Sequence, residues 1–232
     1  ICKELRRSLL EFVKSVNGMP KNQKIPVFPL PIVVFPDEEL RLHIFEAQYK
    51  QLINDCKETG IVFGITPVIE SRMMNIGSLV KLLEIVKVYD DGRMDIKLHC
   101  MGQFKVLEQY SKWPGKLYSA IDIQILEPDV AEEKEMTYEV MELFNNLCDI
   151  NKAKPYHQIS WETFQSYKLG HIVGFTLEEE YRFSTLATEK ERLEKLIQQL
   201  DYMIEQSKQR QEWLKRMNMN GEFRNFNLKD LK

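Results

Sequence analysis

The chain is sparing with the residues that usually announce a specialised chemistry. Only four of its 232 residues are cysteine, Cys2, Cys56, Cys100 and Cys148, and they lie far apart. A disulfide framework or a thiolate zinc site draws on paired or closely spaced cysteines, so neither is expected. His157 and His171 have no HExxH or paired-cysteine spacing around them, which removes the other common zinc arrangement. No apolar run approaches the ~20 residues of a membrane helix. No signal-peptide pattern opens the sequence, and no Asn-X-Ser/Thr acceptor occurs in it. A reducing cytoplasm is the expected location, with no membrane partner. The net charge is only −3, which gives no general case for nucleic acid as partner. A phosphate-cradling loop would need a Gly-Lys followed by Ser or Thr. The Gly115-Lys116 step is followed by Leu117 instead.

What is present is the composition of a soluble globular protein, 44% apolar and 29% charged, with length enough for one large domain or two small ones. Charge is uneven along it. Residues 1–24 and 208–232 are basic, whereas 129–143 are acidic. These read first as solvated faces and a tail.

The organising stretch is 25–46. Two apolar runs, Ile25–Phe28 and Ile32–Phe35, are punctuated by Pro26, Pro29, Pro31 and Pro36, and a third, Leu40–Phe45, leads into a helix. Proline fixes its own φ and donates no ladder hydrogen bond, so a long helix and a regular central strand are both excluded. A short strand, a kinked extended segment and a second strand turning into a helix remain.

The same stretch carries a family resemblance. Phe28-Pro29-Leu30, then Val34-Phe35-Pro36, then Leu42-His43-Ile44-Phe45-Glu46 with Tyr49 resembles the opening signature of the LON substrate-binding domain, the N-terminal domain of Lon proteases. Weaker agreement runs through Ile76-Gly77, Asp91-Gly92-Arg93 and Phe104-Lys105-Val106, and again over 160–200, so that roughly 25–205 is covered. Three positions depart from the pattern: Asp37 stands where glycine is usual, and Gln48 and Gln103 stand where arginine is usual.

Along the rest of the chain, residues 3–17 show the three-and-four spacing of a helix. A helix is expected over Glu46–Glu58, stopped by Gly60, and a buried strand over Ile61–Ile65, whose Gly64 lets something pack closely. Thr66–Ile76 reads as a loop. Leu79–Tyr89 and Arg93–His99 form a hairpin turned by Asp90-Asp91-Gly92. Further strands are expected at Phe104–Tyr110 and Leu117–Leu126, giving a curled antiparallel sheet or small barrel. After Glu127-Pro128 only helical patterns appear: 131–148, a helix capped by Ser160 and ending at Gly174, and a long helix over about 189–217. Thr176–Glu179 and Thr188–Glu191 have the form of capping boxes.

The fold class is therefore α+β. The resemblance implies a PUA-like β pseudobarrel in the N-terminal half, followed by a helical bundle ending in a long helix. The expected divisions are a helical extension at 1–18, whose membership of the native domain stays open, a β-rich subdomain at 19–128, a helical subdomain at 129–217 and a loosely held tail at 218–232.

No catalytic constellation emerges. His99 and Cys100 are strand neighbours pointing to opposite faces, so they cannot act as base and nucleophile. His43, between two apolar residues, reads as structural. No cofactor or metal is expected, and the chain is read as no enzyme. Two places could bind polypeptide. Met73 and Met74 offer a soft, adaptable loop surface, and Tyr110 with Trp113 frames a turn beside Lys112 and Lys116. Each has a plainer alternative as core plug or folded-back ring. On the last helix Ser207 and Gln211 interrupt the apolar stripe, after which Trp213, Leu214 and Met217 restore it, and these are candidates for meeting a partner. The resemblance implies a non-catalytic domain that recognises exposed or unfolded polypeptide, as an adaptor to a separate ATPase or ATP-dependent protease. The rival is a PUA-like RNA-binding module, against which the acidic balance speaks. The oligomeric state stays open.

Overall fold

Four prolines in one apolar stretch ought to disrupt a sheet, and the way the chain places them explains its topology. The computed structural model describes residues 22–129, 131–153 and 164–222. The helix expected over 3–17, Ser160 with the start of its helix, and the end of the tail lie outside these. In chain order the elements are β1 (Asn22–Leu30), β2 (Glu39–Ile44), α1 (Ala47–Thr59), β3 (Phe63–Ile69), β4 (Arg72–Met73), β5 (Ile76–Val88), β6 (Met94–Tyr110), β7 (Ser119–Ile125), α2 (Lys134–Ile150), α3 (Leu177–Ser184) and α4 (Glu189–Glu222). They fall into two compact units. One holds the strands and Gly170–Ala187, the other Ala131–Leu169 and the chain from Thr188 on.

In the first unit the sheet order is β1-β7-β6-β5-β3-β4, with β2 alongside β6 and β1 also paired to β3. The β1–β3 pairing closes the ring into the expected pseudobarrel. β1 changes partner midway: Asn22–Val27 pair antiparallel with β7, and Val27–Leu30 pair parallel with β3. Pro26 therefore has a neighbour only in β7 and Pro29 only in β3, positions where a missing donor is tolerated. The apolar run at Ile32–Phe35 joins no strand; its Val33, Val34 and Phe35 are buried, the Val34 carbonyl accepts from the Ser78 hydroxyl, and the Phe35 N–H donates to Glu38.

Asp37 has φ 65°, and its N–H donates to the Cys100 carbonyl at 3.1 Å. That left-handed conformation accounts for the usual glycine, and aspartate is among the few other residues that visit it routinely.

The expected strands at 93–99 and 104–110 are one continuous strand, β6, carried through Gly102 by a register shift opposite Leu79/Val80. Likewise, part of the expected 66–76 loop is a hairpin, β3–β4, turned at Glu70 (φ 48°) and Ser71 (φ 63°). Both turn residues are left-handed, as a tight hairpin requires, yet neither is glycine, so sequence gave no warning.

Phe104 fills the barrel with Ile25, Val27, Leu79, Ile121 and Ile123. Two glycines make room for its ring. A Cβ on Gly64 would lie 2.6 Å from the Phe104 ring, and one on Gly77 would lie 2.7 Å from both that ring and the Ile65 carbonyl oxygen. A second core lies under α1, where Leu52, Ile53 and Cys56 meet Phe63, Met94, Ile96 and Leu98. α1 stops at Gly60, whose φ of 71° provides the left-handed C-cap.

In the second unit α2 packs along α4, where Leu193, Leu196, Leu200 and Ile204 form the buried stripe. The two polar residues that interrupt that stripe sit at the C-terminal end of α2. Gln211 donates to the Ile150 carbonyl, and Ser207 meets the Asn151 amide at 3.1 Å. A helix end leaves carbonyls without intrahelical donors, so polar side chains are needed there. The segment expected as a helix ending at Gly174 is, in its described part, a 3-10 turn at Ser166–Leu169. Ser166 and buried Arg192 share the Glu189 carboxylate, which ties that turn to the start of α4. Both capping boxes form, at Thr176–Glu179 and Thr188–Glu191.

Candidate functional site

β5 leads a double life. Of its first five residues, Ile76–Val80, four are buried, and Ser78–Val80 pair with β6 on one side and β3 on the other. Beyond Val80 no described strand pairs with its outer side, so Lys81–Val88 is a sheet edge held only by β6. Two register shifts, at Leu82/Glu84 and Ile85/Val86/Lys87, make Leu83 and Val86 the extra residues of bulges. Both point into solvent, as does Val88 at 63% exposure. Phe45, 62% exposed, lies at the same end of the sheet, since Ile44 and Val88 flank Met94 in the ladder. Of the exposed large apolar side chains in this unit, Leu83, Val86 and Val88 therefore lie along the β5 edge, with Phe45 at its far end.

The outer face beside that edge is polar and ordered. Asp95 accepts from the Tyr89 hydroxyl at 2.7 Å and pairs with His43 Nδ1 at 2.6 Å, and these bonds hold its carboxyl below the usual carboxylate range. Lys87 lies 4.3 Å from the Tyr89 ring centre, and Arg93 bonds Asp91. His43 reads as structural here, tied by Asp95 and packed edge-on to Tyr89. A further clasp lies at His171, whose Nε2 meets Glu38 at 3.2 Å and whose Nδ1 meets Glu180 at 2.8 Å, with its ring against Phe35. The Glu38 bond, aided by Glu180, raises its pKa to about 9 against the drag of burial.

The residues singled out from sequence are scattered. Met73 packs against the barrel core around Phe104, and Met74, half-buried, donates its N–H to Pro67. Trp113 is half-buried against the α1 core, 6.3 Å from Tyr118. The Tyr110 hydroxyl bonds Asp122 at 2.7 Å, which pushes the phenol up, and Lys24 covers its ring at 3.4 Å. An open depression of about 320 Å³, lined by Gln23, Lys24, Leu107, Glu108 and Asp122, lies beside it. Trp213, Leu214 and Met217 are exposed on α4 beyond its polar contacts with the end of α2. Gln103 donates to the Ser184 carbonyl at the end of α3, while Gln48 donates to Glu46.

Leu83, Val86 and Val88 escaped sequence reasoning because bulges break the alternation that marks a half-buried strand. Their one signal was the run Leu82-Leu83-Glu84-Ile85-Val86, too apolar for an exposed strand of ordinary pattern. Cys56 and Cys100 are buried, and desolvation pushes both thiols up to about 12, far from a nucleophile's range. Among the described residues no cluster of three metal-ligating side chains occurs, and no helix is long and apolar enough to cross a membrane.

Comparison with known proteins agrees with this architecture. A Lon N-terminal domain protein from Xanthomonas campestris superposes with a TM-score of 0.59 at 22% identity, covering 75% of this chain and 97% of that one. The N-terminal domain of the Mycobacterium avium complex Lon protease gives 0.60 at 14% identity, covering 77% and 98%. These likenesses establish the fold. No curated protein matches the chain. The sequence profile of the ATP-dependent protease La (LON) substrate-binding domain matches residues 24–221, so the chain belongs to the LON substrate-binding domain family.

Proposed function

We propose that this chain is a non-catalytic module that recognises exposed or unfolded polypeptide, and that it works as an adaptor to a separate ATPase or ATP-dependent protease. The observation that carries the reading is the exposure of Leu83, Val86 and Val88 along one sheet edge that ends toward exposed Phe45, in a family defined by substrate binding. Apolar groups exposed together on an otherwise well-covered domain mark interaction surfaces. Unfolded chains offer the matching apolar side chains, which folded proteins bury. In this reading the half-buried Met73, Met74, Tyr110 and Trp113 are secondary contacts, and the exposed Trp213, Leu214 and Met217 face the partner machine. The cytoplasm is its proposed place of action.

The test uses the full chain against a reduced, carboxymethylated protein that cannot refold, with the same protein in its native disulfide-bonded form as control. Fluorescence anisotropy should show binding to the unfolded form alone. Equal affinity for both forms, or preferential binding of single-stranded RNA, would overturn the proposal. No ATP hydrolysis and no proteolysis of the bound chain are expected in the same samples.

A further inference from the structure

The open half of β5 narrows what kind of contact such a polypeptide would make. We propose that Lys81–Val88 receives an extended peptide segment by strand addition, in line with β3, with an acidic residue of the peptide meeting Lys81 or Lys87. This inference rests on the polypeptide-binding reading and specifies its place and geometry.

The observations behind it go beyond apolar exposure to the backbone itself. An edge strand presents main-chain N–H and C=O groups with no ladder partner, and these groups specify an extended backbone as their complement. Here the edge begins where β3 starts: Phe63, its first residue, pairs with Val80, and no described strand continues past it. A docked segment would therefore prolong an existing ladder. The edge has no proline, and it carries three exposed apolar side chains and two lysines against one glutamate, Glu84. Its inner face already rests on the α1 core through Leu82 and Ile85, so an added strand meets a fixed template and not a loose ribbon. The bulges at Leu83 and Val86 bend the edge. They limit the added segment to a few residues, which suits transient capture and works against indefinite edge-to-edge growth.

The experiment uses the full chain and a labelled peptide about ten residues long, alternating valine and threonine with aspartates at its ends. A second peptide of the same sequence carries N-methyl groups on alternate backbone nitrogens, which removes ladder donors while keeping the side chains. Anisotropy should show the methylated peptide binding at least about tenfold more weakly, and Leu83→Lys with Val86→Lys should weaken the parent peptide similarly. Hydrogen exchange should show slowed amides within 81–88 when the parent peptide is bound. Should the double variant unfold, Val88→Pro, which removes one edge donor, takes its place. If both peptides bind equally, or protection falls elsewhere, strand addition at β5 is wrong while polypeptide binding stands. If these amides are already protected in the free chain, the edge is occupied by another part of the chain or by a second copy, and the proposal fails. If neither the peptide nor the carboxymethylated protein binds, the functional reading itself fails.

Discussion

The two halves of β5 share one strand and one neighbour, β6, yet they are built for opposite purposes. Residues 77–80 are buried, with 78–80 laddered on both sides, whereas 81–88 are half-buried or exposed and are laddered on one. Backbone propensity cannot account for this, because the apolar residues continue through the second half. The difference comes from neighbours. β3 begins at Phe63, opposite Val80, and runs back along the first half, so no described strand pairs with the second half on that side, and the bulges turn Leu83 and Val86 outward. In this strand the core ends where the second partner ends.

That contrast is open to attack by mutation. Leu79→Ala should cost about 2–5 kcal/mol, as expected for a fully buried leucine, while Leu83→Ala should stay within about 0.5 kcal/mol. Urea unfolding of the two variants measures both, and similar losses would erase the distinction. The close fit of the first half is sharpened by Gly77→Ala. Its new Cβ would meet backbone oxygen and the Phe104 ring at 2.7 Å, so overpacking should cost about 1–3 kcal/mol. An unchanged melting temperature would mean that Phe104 moves aside readily.

Much of this architecture was legible in the sequence, and what was missed has identifiable causes. The prolines, the Gly60 stop, the Asp90-Asp91-Gly92 turn and the two capping boxes are local signals, and each formed as its chemistry dictates. The β3–β4 hairpin was hidden because Glu70 and Ser71 adopt left-handed conformations without a glycine to advertise them. The continuity of β6 was hidden because it runs through Gly102 on a register shift opposite Leu79/Val80, which is set by the neighbouring strand and not by a local signal. Asp37 was visible as a departure from the family pattern, but only its φ of 65° explains the position. The polar residues Ser207 and Gln211 read as an interruption because their role, meeting the end of α2, is a tertiary fact. The open β5 edge left the faintest trace, since openness depends on where another strand stops.

Smaller effects are expected away from the sheet. The pKa of His171 is raised from its ordinary 6.5 to about 9 by Glu38 and Glu180, so the charged imidazole stabilises the fold. That contribution should be fully present below pH ~6.5 and lost as pH rises through ~9, and because the ring is partly exposed, solvent screening should keep it to about 1 kcal/mol. His171→Ala should flatten the fall in stability between those limits, as followed by chemical unfolding at a series of pH values. A variant that keeps the same pH slope would remove His171 from the account. Least of all, Trp213→Ser with Leu214→Ser should change unfolding stability by no more than about 0.5 kcal/mol per site, since both side chains are exposed. A larger loss would show that the distal part of α4 is held by packing.

The most direct measurement is native-state hydrogen exchange along β5 in the free chain. Amides of 77–80 should exchange only through global unfolding, whereas those in 81–88 that face away from β6 should exchange by local opening at far lower free energy. A sharp fall in protection after Val80 is the predicted result. Uniform protection from Ile76 to Val88 would contradict it and would mean that the strand has no open half to offer.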